Sequence, residues 1–286
     1  MPRITYVNGQ YVPHRDAFVH VEDRGYQFAD GVYEVILVHR GKLVDEIPHL
    51  DRLDRSLSEL RIESPMPRAP MRQVLREMVR RNRINDGIVY IQATRGVARR
   101  DHPFPKNTKP ALVMTSRRLA MPDRAKAEEG VAALTIPDIR WARCDIKAVA
   151  LLPNVLGKQQ AREAGAYEAW QVDDEGYVTE GTSTNTWIVT PDGELVTRQI
   201  GEQILSGITR ATLIGLADKL GVKLVERRFS VEEALDAREA FVTSATSFVT
   251  PITKINDRVI GNGRAGSVAM GILNNYLDYA AGDGAT

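Results

Sequence analysis

The chain alternates strand-like runs with amphipathic helical stripes, and that alternation breaks once. Ile4 to Val7, Asn8-Gly9 and Gln10 to Val12 read as a hairpin closed by a tight turn. Val32 to Val38 and Lys42 to Glu46, joined through Arg40-Gly41, read as a second hairpin. Leu50, Leu53, Leu57 and Leu60 recur at helical spacing after Pro48, and Met71, Val74, Leu75, Met78 and Val79 form another stripe. Ile88 to Thr94 and Ala111 to Thr115 are strand-like. Met121-Pro122-Asp123 then interrupts the pattern. These features predict a smaller α/β domain over residues 1–118, a linker over 119–124 and a larger domain over 125–286.

The second half continues in the same mixed style. Strand Val131 to Ile136 leads to helix Val155 to Ala164, and hairpins turn at Asp173-Asp174-Glu175-Gly176 and Pro191-Asp192-Gly193. A helix from Ile208 carries the stripe Leu213, Leu216, Ala217 and Leu220 and stops at Gly221. Ser230-Val231-Glu232-Glu233 has the form of a capping box. Ala281 to Thr286 should fray. The expected class is α/β, mixed α+β, in two domains.

Charge excludes some functions. The 38 basic residues face 37 acidic ones, and the net charge of +1 gives no field to recruit nucleic acid or an anionic membrane. Sequences such as Asp51-Arg52-Leu53-Asp54-Arg55 mix both signs, as solvated helix faces do. One cysteine, Cys144, rules out an internal disulfide, and the five histidines show no paired metal spacing. The N-terminus has no apolar core of a signal peptide and no apolar run reaches 18 residues, so a soluble cytoplasmic chain is expected.

One lysine stands apart. Lys147 lies in Ile146-Lys147-Ala148-Val149-Ala150-Leu151-Leu152, where six of seven residues are apolar. Such a run reads as buried. A lysine there must snorkel to water, find a partner or lose its proton, and full burial depresses an amine by up to roughly 3–5 units. A neutral amine is a nucleophile toward carbonyls. The run alone serves the snorkelling and the nucleophilic readings equally.

Other blocks surround this lysine in a fixed order. They are Glu22 through Glu34, His49-Leu50-Asp51-Arg52-Leu53, Arg95 through Phe104, Val178 through Trp187, Ile204 through Arg210, and Phe241 through Ser247. Together they resemble the fold-type IV pyridoxal-phosphate enzymes, nearly end to end. Within that family the chain is most similar to the D-amino acid aminotransferases.

The resemblance implies pyridoxal 5'-phosphate as cofactor, joined to Lys147 as an internal aldimine. The freed amine would then shuttle a proton in ping-pong half reactions. It implies that Glu180 faces the pyridine nitrogen and that Leu205 packs on the ring. Arg52 and the backbone N–H groups of Ile208 and Thr209 would hold the phosphate, as a helix N-terminus suits an anion. Arg100 and His102 match a pair that takes the substrate carboxylate, completed by Tyr33. In the family that pair reaches across from the neighbouring subunit, which implies a homodimer. Two positions depart. The family's phosphate-binding threonine aligns with Ala245, leaving Ser244, Thr246 and the loop N–H groups, and an acid three residues later is Phe248.

The implied reaction moves an amino group from a D-amino acid, D-alanine-like, to a 2-oxo acid such as 2-oxoglutarate or pyruvate. Rival readings within the family are a branched-chain aminotransferase, an (R)-amine transaminase and an aminodeoxychorismate lyase. Arg100 with His102 argues against them. A non-catalytic binding relative is disfavoured by the joint presence of Lys147, Glu180, Arg52 and Tyr33.

Overall fold

The computed structural model describes residues 3–217 and 221–282. Contacts divide the chain into two units, Met1–Met121 with Ile146–Ala150, and Pro122–Asp145 with Leu151–Thr286. Lys147 therefore groups with the first unit, whereas the linear reading gave it to the second domain.

The first unit contains β1 (Ile4–Val7), β2 (Gln10–Pro13), α1 (Arg24–Phe28), β3 (Gly31–His39), β4 (Lys42–Leu43), α2 (Glu46–Glu59), α3 (Arg68–Asn82), β5 (Gly87–Thr94) and β6 (Ala111–Arg118). Its sheet has the order β2-β1-β6-β5-β3-β4, all antiparallel. Asn8 and Gly9 both take positive φ, 45° and 97°, the mirror-image turn that matches strand twist. The second expected hairpin is cut short. β4 has only two residues, because Asp45 turns left-handed at φ 54° and α2 starts at Glu46. Pro48 is tolerated there, in a first turn whose N–H groups lack helical partners anyway. Leu50, Leu53 and Leu57 of α2 and Met71, Val74, Leu75, Met78 and Val79 of α3 bury against Ile36, Val38, Ile91 and Met114 of the sheet. Leu60 follows α2 as its C-cap and is only half-buried.

The second unit contains α4 (Arg124–Glu129), β7 (Val131–Pro137), α5 (Leu152–Glu163), β8 (Glu168–Val172), β9 (Val178–Gly181), β10 (Asn185–Val189), β11 (Leu195–Thr197), α6 (Ile208–Ala217), β12 (Leu224–Glu226), α7 (Val231–Leu235), β13 (Glu239–Ser244), β14 (Phe248–Ile255), β15 (Arg258–Val259) and α8 (Ser267–Ala281). Among the described residues its sheet runs β12-β11-β10-β13-β14-β7-β8-β9, with β15 on β14. β14, β7 and β8 are parallel, and the hairpins at Asp173–Gly176 and Pro191–Gly193 are antiparallel as expected. The buried core centres on Trp170, Ile188, Phe229, Val242 and Ile252.

Ser230 Oγ accepts from the Glu233 N–H at 3.1 Å, but the Glu233 carboxylate turns to Arg227 at 2.9 Å. The capping box is thus half closed. α8 continues through Ala281, one residue into the stretch expected to fray. The expectations for Leu220, for the Ala217 side chain and for residues 283–286 lie outside the described residues. No helix among the described residues is long and apolar enough to cross a membrane.

Candidate active site

Lys147 is fixed through its backbone. Its carbonyl accepts from the Tyr33 N–H at 3.0 Å, and the Val149 N–H donates to Gly31 O at 3.0 Å. Ala148 bridges Val32, so this short segment extends the sheet beside β3. The Lys147 N–H also reaches the hydroxyl of Ser56, on α2, at 3.3 Å. The expected burial of the whole run is corrected here. Ile146 and Ala148 are buried, Lys147 is half-buried, and Leu152 is 68% exposed. Backbone alternation explains the first part, since Ile146 and Ala148 point into the core of the first unit, whereas Leu152 opens α5 in the second. The ammonium lies 4.3 Å from the centroid of the Tyr33 ring. Tyr33 in turn stacks on Tyr90 at 5.7 Å. Burial, with Tyr33 alongside, pushes the Tyr90 phenol up to about 12.

Arg52, on α2, donates from Nε and Nη2 to the two oxygens of Glu34, at 2.7 and 2.8 Å. His49 reaches the same carboxylate at 2.7 Å. Glu34 is wholly buried. Burial would raise its pKa, but Arg52 and His49 overcome that and hold it at about 2. The guanidinium is therefore oriented by a charge-assisted fork rather than by solvent.

Arg100 and His102 sit on an exposed loop and flank Phe28. The Arg100 guanidinium is 5.1 Å from that ring's centroid, and the His102 ring is 5.6 Å away. Buried Arg24 pins the loop from below, donating to Asp101 O at 2.6 Å and His102 O at 3.2 Å while pairing with Asp30 at 2.7 Å.

In the second unit Glu180 is a hub. Its Oε2 accepts from the Leu205 N–H at 3.0 Å and from Asn185 Nδ2 at 3.2 Å. Its Oε1 pairs with Arg140, which also grips Asp138 at 2.7 Å. The Arg140 side chain is buried, which opposes its charge, yet Asp138 and Glu180 raise its pKa further, so it stays a cation. Asp138 is held below the usual carboxylate range by the same contact, against its burial. Burial pushes the Cys144 thiol up to about 12, with Arg140 opposing and Glu180 and Asp138 reinforcing.

Asn185 also organises the start of α6. Its Nδ2 donates to Leu205 O at 3.0 Å, and a Cβ at Gly207 would fall 2.0 Å from its Oδ1. A side chain there would displace the Asn185 amide from these bonds. Ile208 and Thr209 follow as the first helical residues, with Thr209 buried. The hydroxyls of Thr182, Ser183 and Thr184 serve another group, the buried carboxylate of Glu168, with Ser183 at 3.4 Å and Thr184 at 3.0 Å.

Ser244 and Ala245 stand at the turn between β13 and β14. Ser244 Oγ accepts from the N–H groups of Thr246 and Ser247 at 3.3 and 3.0 Å. Two of the loop N–H groups expected for phosphate are thus spent inside the turn. Phe248 takes φ 55° and buries its ring 6.3 Å from Tyr276 of α8. It is a packing residue, where sequence offered no account of it.

Sequence reasoning missed Glu34, His49, Asp138 and Arg140. Glu34 had a readable signal, a lone acid among Val32, Val35 and Ile36, the same anomaly that singled out Lys147. Asp138 and Arg140 lie in an irregular stretch after β7, where spacing says nothing.

Residues 31–255 match the model of class IV amino-transferases, and the chain belongs to that family. It is 38% identical over 278 residues to a D-alanine aminotransferase of Bacillus licheniformis, covering 96% of this chain and 97% of that one. A D-alanine aminotransferase of Staphylococcus haemolyticus is also 38% identical, over 96% of each chain. Among solved structures, a T.th. branched-chain amino acid aminotransferase complexed with N-(5'-phosphopyridoxyl)-L-glutamate superposes with a TM-score of 0.90 at 26% identity, covering 99% of this chain and 95% of that one. The branched-chain aminotransferase of Thermoproteus uzoniensis, with norvaline, gives 0.88 at 26%, covering 98% and 95%.

Proposed function

We propose that this aminotransferase uses pyridoxal 5'-phosphate to move the amino group of a D-amino acid, D-alanine-like, to 2-oxoglutarate or pyruvate. The observation that carries the reading is the Lys147 amine, its backbone locked to β3 and α2 and its head over Tyr33, in a chain of this family. The donor set fits the cofactor. It offers an amine for an aldehyde, a buried carboxylate for a ring nitrogen, and an arginine fork and helix start for a phosphate.

Bound pyridoxal phosphate supplies an electron sink for the substrate's α-carbon. Lys147 binds it and moves the α-proton with Nζ. Glu180 holds the proton of the ring nitrogen, and its clamp of Arg140, Asn185 and the Leu205 N–H keeps the carboxylate aimed. Leu205 backs the ring. Arg52, oriented by Glu34, takes the phosphate with the N–H groups of Ile208 and Thr209 and the Ser244–Ala245 turn. Tyr33, Arg100 and His102 take the substrate carboxylate. Arg100 and His102 are exposed in their own chain, which supports their use by the partner in a homodimer. The single cysteine needs no oxidising compartment, which fits work in the cytoplasm.

A panel of D- and L-amino acids and simple (R)-amines, each with 2-oxoglutarate or pyruvate, tests the reading. D-amino acids should be consumed fastest. Preference for branched L-amino acids would replace it with the branched-chain reading, and preference for amines without a carboxylate with the amine transaminase one.

A further inference from the structure

A cavity of about 390 Å³ opens at one end of the first unit's sheet. Five arginines line it, Arg3, Arg81, Arg83, Arg117 and Arg118, together with Ser116. No acid lines it. An adjoining cavity of about 540 Å³ shares Arg83 and Arg118. Asp86, the one acid lining it among the described residues, is already held by His39 at 2.6 Å and Asn85 at 2.6 Å.

Pairing along α3 makes this cluster unusual. Arg68, Arg72, Arg76 and Arg80 each meet a carboxylate, from Asp51, Asp54, Glu46 or Glu77. Arg81 meets Glu77 at 2.9 Å. Among the described residues Arg3, Arg83, Arg117 and Arg118 pair with none. The chain carries nearly equal numbers of acids and bases, so the gap is local. Like charges gathered at one mouth repel, and an anion relieves them.

The second observation is Ser116. It is 2% exposed, and its hydroxyl has no hydrogen-bond partner. An unsatisfied buried hydroxyl is costly, and among the described residues Ser116 is the one buried unpartnered side chain that also lines this cavity. The frame is rigid. Asn82, at the end of α3, accepts from the Ile4 N–H at 2.8 Å and donates to Ile4 O at 3.0 Å, stapling the helix to β1.

The geometry points to a second ligand site here, for a small multiply charged anion bearing phosphate or carboxylate groups. Guanidinium forks match both groups, and Ser116 supplies a donor at the floor. None of the residues assigned to the transamination lines either cavity, so the site is separate from the one proposed for the substrate. The inference stands independently of the function proposed above.

The test uses the full chain saturated with pyridoxal phosphate, so that phosphate groups assigned to the cofactor are already met. Inorganic pyrophosphate and citrate are titrated separately by calorimetry at matched ionic strength. At least one should bind saturably, and which one does identifies the ligand as phosphate or carboxylate. The pair Arg83→Asn with Arg118→Ser should weaken binding by at least about tenfold, a loss on the scale of one charged contact. Asn tolerates the left-handed φ of 50° at position 83. The pair Arg76→Ser with Arg80→Ser, on α3 and outside the cavity, should leave binding intact. Ser116→Ala should raise the melting temperature of the anion-free chain, by removing an unsatisfied hydroxyl, and weaken the probe. Absence of saturable binding, equal loss in both arginine pairs, or unchanged affinity in Ser116→Ala overturns the site.

Discussion

Glu34 grips Arg52 through both carboxylate oxygens, at 2.7 and 2.8 Å, inside the first unit. Glu34 is held at about 2, well under its ordinary 4.5. Stability from such a depressed carboxylate is full above 4.5 and lost as pH falls toward 2. Glu34→Gln leaves Arg52 and His49 without that charge and should cost about 3–5 kcal/mol at neutral pH, as breaking a buried pair does. Urea unfolding at neutral pH and across that acid window checks both points. The variant should be less stable when neutral and show a shallower acid loss. Parallel curves would deny Glu34 this role.

Glu180→Gln should keep the fold, because Arg140 retains Asp138 at 2.7 Å as its counter-charge. Turnover should fall roughly 10²-fold or more, the scale of removing one preorganised electrostatic partner. Circular dichroism with single-turnover rates separates the two effects. Full activity across neutral pH would contradict the assignment of Glu180 to the ring nitrogen.

Arg100 touches Phe28 and is otherwise exposed, so Arg100→Ala should not unfold the chain. For D-amino acids kcat/KM should fall by about 2–4 kcal/mol in barrier terms, as loss of a charged carboxylate partner does. For an amine with no carboxylate it should change little. Equal losses for both donors would remove Arg100, and His102 with it, from the carboxylate trap.

Cys144 should be a poor nucleophile. With its thiol raised to about 12, almost none is ionised at neutral pH, and the thiolate is the reactive form. Alkylation by iodoacetamide should be far slower than that of a free thiol, and Glu180→Gln should quicken it by removing a nearby negative charge. Fast labelling of the unaltered chain would contradict the arrangement of Arg140, Asp138 and Glu180 around it.

Much of the fold was readable because its signals are local. The Asn8-Gly9 turn, the leucine stripe of α2 and the glycine-bearing hairpins depend on residues adjacent in sequence. β4 was overread, since a left-handed Asp45 leaves little trace in a pattern of apolar residues. In the candidate site, Lys147 was visible as an anomaly in an apolar run, and Glu180 through the resemblance of its block to the family. The groups that orient others were not. Glu34 meets Arg52 eighteen positions away, and Arg140 meets Glu180 forty positions away. Such pairings exist only once strands and helices are packed. Ser244 shows the converse, since a hydroxyl that sequence offered to a phosphate is turned onto its own loop.

The central claim is that Lys147 carries the chemistry, and its substitution tests that most directly. Lys147 is half-buried, and its backbone contacts to Tyr33 and Ser56 do not need its side chain, so Lys147→Ala should fold. The measurement is borohydride reduction of the chain with pyridoxal phosphate, followed by peptide mapping, alongside D-alanine turnover. The account predicts cofactor fixed on the peptide containing Lys147 in the unaltered chain. In the variant it predicts no fixed cofactor, no visible absorbance from a covalent link, and turnover lost. Cofactor fixed on another lysine, or near-normal turnover in Lys147→Ala, would contradict it.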